Sequence, residues 1–310
     1  MIAVGQRRSL PSHVPPMLAL SGRPFDSPLH LFEVKWDGVR AVSYIEGGTL
    51  RMHGRRRRDL ATRYPELDFL AGLGNGLVLD GELVVLQPDG RADFRAVLAR
   101  ENAGAAGVAA AARRHPVVYI VFDLLYEHGE PLLELPLRER RARLAQVVAS
   151  SPSPRLSLSA GVEGHGLSLF AAVRERGLEG IVGKRLDSPY RPGERGDAWL
   201  KIKPVHSVHC LILGYEPDAA RGFKSLIIAS DFDGALRCVG KVGSGIGEAE
   251  RTELRRLLAA RRCERPLLDA GVDGVWVTPG LYCTVNYLER TPSGALRAPV
   301  FVALLPEALA

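Results

Sequence analysis

The stretch Glu33-Val34-Lys35-Trp36-Asp37-Gly38-Val39-Arg40 decides how the rest of this chain is read. It lies in an extended, β-rich run, residues 31–45, that Asp37-Gly38 interrupts. Side chains alternate along a strand, so Glu33, Lys35 and Asp37 are expected on one face. Gly38 permits a tight turn and a close approach of a ligand to the backbone. Arg40 returns a second cation toward the same place. A lysine near other cations and partly out of water has its pKa lowered from about 10.4 toward neutrality, which frees its lone pair for attack. The plain structural alternative is an amphipathic strand with a surface Lys–Glu pair, and for a bare lysine it would win.

The supply of lysines sharpens the point. Of 41 basic residues only six are lysines: Lys35, Lys184, Lys201, Lys203, Lys224 and Lys241. Arginine is the default cation here, as in a chain drawn from GC-rich codons. A lysine that persists in such a chain marks chemistry that a guanidinium cannot supply, since only the ammonium gives up its proton. For Lys224 chance survival is explanation enough.

Composition sets the outer limits. The 310 residues suffice for two domains, and 46% hydrophobic with 25% charged residues is the balance of a globular protein. No apolar run approaches the ~20 residues that span a bilayer. The first twenty residues are broken by Pro11, Pro15 and Pro16 and lack a secretory core, so a cytoplasmic location away from membranes is expected. The cysteines, Cys210, Cys238, Cys263 and Cys283, are too dispersed for a zinc site and read as reduced structural residues. A net charge of +6 suits a polyanionic partner without identifying one.

Further elements follow in order. Arg55-Arg56-Arg57-Arg58-Asp59 follows a β stretch. Asp80-Gly81-Glu82, by itself of turn composition, lies in a β-rich run at 77–86. Tyr119-Ile120-Val121-Phe122-Asp123 lies within a second β-rich run that covers residues 117–126. Glu179-Gly180-Ile181-Val182-Gly183-Lys184 and Trp199-Leu200-Lys201-Ile202-Lys203 come later, and alternation sets Lys201 and Lys203 on one face. Three of the six lysines lie in these elements, and a fourth, Lys35, in the opening motif. Together with Lys-x-Asp-Gly-x-Arg at 35–40, they resemble the ordered motifs of ATP-dependent DNA ligases, members of the lysine nucleotidyltransferase superfamily. The resemblance covers nearly the whole chain, and its C-terminal part is similar to small bacterial end-joining ligases.

The resemblance implies an α+β fold in two parts. Residues 1–204 would form a nucleotidyltransferase (adenylation) domain of antiparallel sheets with flanking helices, and residues 205–310 an OB-fold β-barrel. The texture after Pro204, five short strands and a helix at 248–261, agrees with the second part. It implies that Lys35 becomes a lysyl–AMP, with ATP and Mg²⁺ (or Mn²⁺) as cofactors. Glu33, Arg40, Arg55, Lys184, Lys201 and Lys203 would hold the nucleotide, Lys184, Lys201 and Lys203 at its phosphates. Glu82 would take the ribose hydroxyls, Phe122 would stack on adenine, and Glu179 would meet the metal. The partner would be duplex DNA with nicks or ends, alongside bacterial end-joining proteins, with the ligase itself a monomer working in DNA repair.

One departure stands out. After Phe301 the family pattern continues to a basic element, whereas Phe301 is here followed by Val-Ala-Leu-Leu-Pro-Glu-Ala-Leu-Ala. Slow self-adenylation is expected from that. Two alternatives therefore stay open, an RNA ligase or capping-type nucleotidyltransferase, and a nick-binding protein with impaired self-adenylation.

Overall fold

The computed structural model describes residues 9–232 and 234–305. The readings placed on residues 1–8 and 306–310 lie outside the described residues. The chain divides between Lys203 and Pro204 into two compact units. The first begins with strands β1 (Leu18–Ser21), β2 (Ser27–Val34), β3 (Val39–Glu46), β4 (Thr49–Gly54) and β5 (Leu77–Val84). Helices α1 (Phe94–Asn102) and α2 (Val108–Arg114) lead to β6 (Val118–Glu127) and β7 (Glu130–Pro131). There follow α3 (Leu137–Ala149), β8 (Leu156–Leu158), β9 (Gly161–Gly164), α4 (Gly166–Glu175), β10 (Ile181–Arg185) and β11 (Arg195–Ile202).

The run expected as one interrupted stretch is two strands in two different sheets. β2 belongs to a sheet of order β1-β11-β10-β2-β9, and β3 to one of order β4-β3-β5-β6-β7 with β8 beside β6. Both are antiparallel except for the β1–β11 and β6–β8 pairs. The second sheet is buried on both faces, which is why β3 and β5 carry so few exposed side chains. Ala41, Ile45, Leu79 and Leu83 pack with Leu67, Leu70, Leu144 and Val147 on one side. Val42, Tyr44, Val78 and Phe122 pack with Met17, Tyr190 and Trp199 on the other. By alternation Arg40, Asp80 and Glu82 lie on this second face too. Asp80-Gly81-Glu82, turn-like in composition, thus runs through the middle of a strand.

The arginines of helix α3 are not all on its outer side. Arg140 is fully buried, with Asp123 of β6 as its bidentate partner at 2.7 and 2.8 Å. Its remaining donor reaches the carbonyls of Leu135 and Ser188, tying the helix to the sheet and to the loop after β10. The β stretch expected before Arg55 is β4. β1, β8 and β9 were not legible in the sequence as separate strands; each is four residues or fewer, too short for a period to show.

The second unit holds β12 (His206–Asp218), β13 (Gly222–Asp231), β14 (Leu236–Val242), α5 (Glu248–Ala260), β15 (Arg262–Cys263), β16 (Val275–Val277) and β17 (Tyr282–Tyr287). The short pair β18 (Glu289–Arg290) and β19 (Leu296–Arg297) precedes β20 (Val300–Leu305). The long β12 pairs with β13, with β17 along its first half and with β16 further on, so the sheet curls. Leu254 and Leu258 of α5 fill the concave core with Ile212, Leu226, Val242 and Phe301. A single bridge, Ser244 to Val300, links the segment after β14 to β20. The expected OB barrel is therefore an open one, its ladder not continuous around the circumference. The apolar residues after Phe301 form β20, paired with β17.

Removing one partner of a buried ion pair strands the other charge, at a loss of about 3–5 kcal/mol. Arg140→Ala should therefore lower the urea midpoint of unfolding strongly, while Arg91→Ala, at an exposed pair with Asp89, should hardly move it. Equal midpoints for the two variants would contradict the structure of the α3–β6 contact.

Candidate active site

The polar end of the face shared by the two sheets of the first unit opens into a cavity of about 340 Å³. One sheet contributes Glu33, Val182, Lys184, Trp199 and Lys201; the other contributes Arg40, Glu82 and Phe122. Lys35, Arg55 and Lys203 join them from just beyond their strands. Nine of the ten residues singled out in the sequence thus line one cavity, and the tenth, Glu179, bonds two of the nine.

Lys35 sits where the chain crosses between sheets. β2 ends at Val34, so the alternation expected for Glu33, Lys35 and Asp37 does not extend through the motif, and Asp37 does not line the cavity. The Lys35 amide donates to the carbonyl of Gly180 at 2.9 Å, and its ammonium donates to Glu179 Oε2 at 2.6 Å. The other oxygen of Glu179 pairs with Lys203 at 2.6 Å. Two glycines make the crossing fit. A Cβ on Gly38 would stand 2.2 Å from the carbonyl oxygen of Leu83. Gly180 has φ +144° and lies as close to the carbonyl of Ile202, which presses the Glu179 segment against the end of β11.

The cations form a group around this carboxylate. Lys201 has its pKa lowered by partial burial and by the charges of Arg195, Lys203, Lys35 and Arg55. Arg195 lines the cavity as well. Lys35, Lys201, Lys203, Arg55 and Arg195, of which Lys35 and Lys203 are paired with Glu179, leave an excess of positive charge that suits a polyphosphate. Lys35 itself sits in an ion pair, but its carboxylate is Glu179 and not the Glu33 or Asp37 expected on its own face.

The other end of the cavity is built differently. Glu33 is buried and meets Lys184 at 2.6 Å and Arg141 at 3.1 Å. The Lys184 ammonium, only 2% exposed, lies 4.1 Å from the centre of the Phe122 ring and 4.5 Å from that of Trp199. Burial lowers its pKa, and the charge of Glu33 opposes that shift. Lys184 thus lines the same cavity as Lys35, Lys201 and Lys203, with Glu33 and the Phe122 and Trp199 rings as its immediate neighbours.

Arg40 is also more committed than the sequence implied. It forms a two-pronged pair with Asp80 at 2.5 and 2.6 Å and lies over the Phe122 ring. Although burial opposes its charge, Asp80 holds that charge firmly. Tyr190 donates to the same carboxylate at 2.6 Å and accepts from the Met17 amide. Glu82, next along the strand face, has its carboxyl pushed up to about 7 by burial, against the lowering effect of Arg40 and Lys35. Trp36 and Trp199 carry buried indole N–H groups without partners on the cavity wall. Sequence reading gave neither indole a role, since a tryptophan beside a strand reads first as core.

Among the described residues no group of three or more His, Cys, Asp or Glu gathers as a metal cluster, and no helix is long and apolar enough to cross a membrane. All four cysteines are free, with Cys210 and Cys283 buried and their thiols pushed up by burial.

A family model for the ATP dependent DNA ligase domain matches residues 16–203. A second, for the ATP dependent DNA ligase C terminal region, matches residues 219–307. The multifunctional non-homologous end joining protein LigD of Pseudomonas aeruginosa is 37% identical over 287 residues, covering 88% of this chain and 33% of that protein. The chain thus spans about a third of the length of that curated relative. The solved ligase domain of M. tuberculosis LigD is 32% identical, with a TM-score of 0.56, over 94% of this chain and 95% of that one. A mycobacterial DNA ligase D complexed with ATP and MES is 33% identical with a TM-score of 0.55, over the same shares of the two chains. With both domain models matched in order along most of its length, the chain belongs to the ATP-dependent DNA ligase family.

Proposed function

We propose that this chain seals nicks or breaks in duplex DNA through a lysyl–AMP formed on Lys35. The observation that carries the proposal is the convergence of Lys35, Lys201, Lys203 and Glu82 on one cavity whose far wall is the Phe122 ring. In the first step the Lys35 amine attacks the α-phosphorus of ATP and pyrophosphate departs. The AMP then passes to the 5′-phosphate at the break, and the 3′-hydroxyl displaces it as the strand closes. Lys35 must leave Glu179 and lose a proton before it attacks, and Lys203, on the same carboxylate, is placed to keep that partner occupied. Lys201, Arg55 and Arg195 offset charge on the phosphates, a contribution made mainly by position.

Glu179 is the carboxylate that would hold Mg²⁺ (or Mn²⁺), which supplies positive charge to the phosphate oxygens. A lone carboxylate fits this ion, which takes most of its ligands from water and phosphate. Phe122 offers adenine its ring, Lys184 and Glu33 border the base, and Glu82 accepts from the ribose hydroxyls. We assign the two units to adenylation (1–204) and to an OB domain (205–310). The end-joining role printed for the LigD relatives supports DNA repair as the setting, with end-joining proteins as partners and the chain acting as a cytoplasmic monomer.

Incubation with α-labelled ATP should place label on the protein, and Lys35→Ala should abolish it. Lys35→Arg should abolish it as well, because guanidinium keeps its proton. Label persisting in either variant would sink the assignment. Tight nick binding by an unlabelled wild-type chain would favour the non-catalytic alternative, and sealing of nicked RNA but not nicked DNA the RNA-ligase one.

Glu82 makes a separate prediction. Its folded-state pKa of about 7 lies above the ordinary 4.5, so the unfolded chain ionises first. Stability from this group is complete below pH 4.5 and is lost as pH rises to about 7. Glu82→Gln should therefore match wild type near pH 4.5, exceed it increasingly up to pH 7, and keep a constant margin above. Denaturant titrations without nucleotide would show it; parallel curves across that window would refute the burial of Glu82.

A further inference from the structure

We propose that His13, His53 and Arg57 form a phosphodiester-binding subsite that extends the cation track from the cavity onto the surface of the first unit. The proposal rests on the reading of duplex DNA as substrate. The two imidazoles face each other with ring centres 5.7 Å apart. His53 is the penultimate residue of β4, and His13 comes from the segment before β1. Nδ1 of each ring is shut off from solvent without a hydrogen-bond partner. A buried orphan acceptor is tolerated better than a buried orphan N–H. The proton of each neutral ring accordingly belongs on Nε2, the nitrogen at the open side, where it can donate to an anion.

Arg57 supplies the charge. It lies in the turn of Arg55–Arg58, closed by Arg57 N to Gly54 O and Gly54 N to Arg58 O, both at 2.9 Å. Its φ is +60°, a left-handed conformation that glycine adopts freely and arginine does not. Strain of this kind persists where the side chain is used. Arg58 is engaged with Glu101, and Arg55 lines the cavity two residues before Arg57. Arg57 is exposed, and its charge acts on both imidazoles.

The other groups facing the pair are known. Burial, then Arg57 and His53, hold His13 below its ordinary pKa. Burial, then Arg51, with Arg57 adding to it and Asp59 opposing, do the same for His53. Arg51 is turned to the carbonyls of Pro11 and Ser12 and lies over Tyr44, which packs against His53. Asp59 is bound to the Ala61 amide. A phosphodiester drawn to the open side restores what burial takes from the imidazoles, so binding takes up protons. Affinity then rises as pH falls below about 6.5.

The test is binding of a nicked duplex to the full chain at pH 7.5 and pH 6, at fixed ionic strength. Arg57→Gly, whose backbone suits the turn, should bind about tenfold more weakly and show a salt slope shallower by about one charge. His13→Gln with His53→Gln should lose the extra affinity that wild type gains at pH 6. Thermal melting and self-labelling with ATP, read in parallel, report whether each variant is folded. Wild-type affinity and pH dependence in both folded variants would overturn the subsite. Inorganic phosphate displacing from these residues while duplex affinity is unchanged would also overturn it, in favour of a free-anion site. Wild type failing to bind the duplex at all would instead count against the DNA reading itself.

Discussion

The crossing at Lys35–Gly38 is the constraint from which the rest of the first unit follows. Four residues carry the chain from the end of β2 to the start of β3, and these strands belong to different sheets. A crossing this short fixes how near the sheets stand, because n extended residues reach at most ~3.3–3.6 Å each. Gly38 passes so close to the carbonyl of Leu83 that no side chain fits there. The Lys35 backbone therefore sits on the link itself, held by one hydrogen bond from its amide to the Gly180 carbonyl, while its side chain stays free to move.

Charge is divided along the cavity by the same arrangement. At the crossing, cations outnumber the one carboxylate, and partial burial sharpens their mutual repulsion, as the lowered Lys201 shows. At the far end, Glu33 and Lys184 neutralise each other beneath aromatic rings. An excess of positive charge suits phosphates, and a neutral, ring-lined end suits a base. A nucleotide held as proposed would be oriented by where carboxylates pair with lysines and where they do not.

Much of this was legible in the sequence, and the misses have physical causes. The residues that gather in the cavity were legible from the order of their motifs. The burial of Arg140 and Lys184 was not, because burial of a charge depends on a distant partner, Asp123 or Glu33, that no local window contains. The 31–45 run was taken as one strand with an interruption, since composition cannot say whether a glycine turns a chain or moves it to a second sheet. Asp80-Gly81-Glu82 has residues that favour turns, yet the β-rich run around it prevails, and the neighbouring strands β3 and β6 hold it as strand.

The same dependence on partners explains why lysine and arginine are not exchangeable here. Arg40 and Arg140 each use a planar fork to grip one buried carboxylate with two bonds. That role wants a cation that never lets go of its proton, and burial then enforces geometry. Lys35 shares Glu179 with Lys203 through single contacts on separate oxygens. Each ammonium can leave without disturbing the other, and whichever leaves can lose its proton. A guanidinium at position 35 would satisfy Glu179 better and thereby close the route to attack. The preference for lysine at the crossing is a preference for the weaker hold.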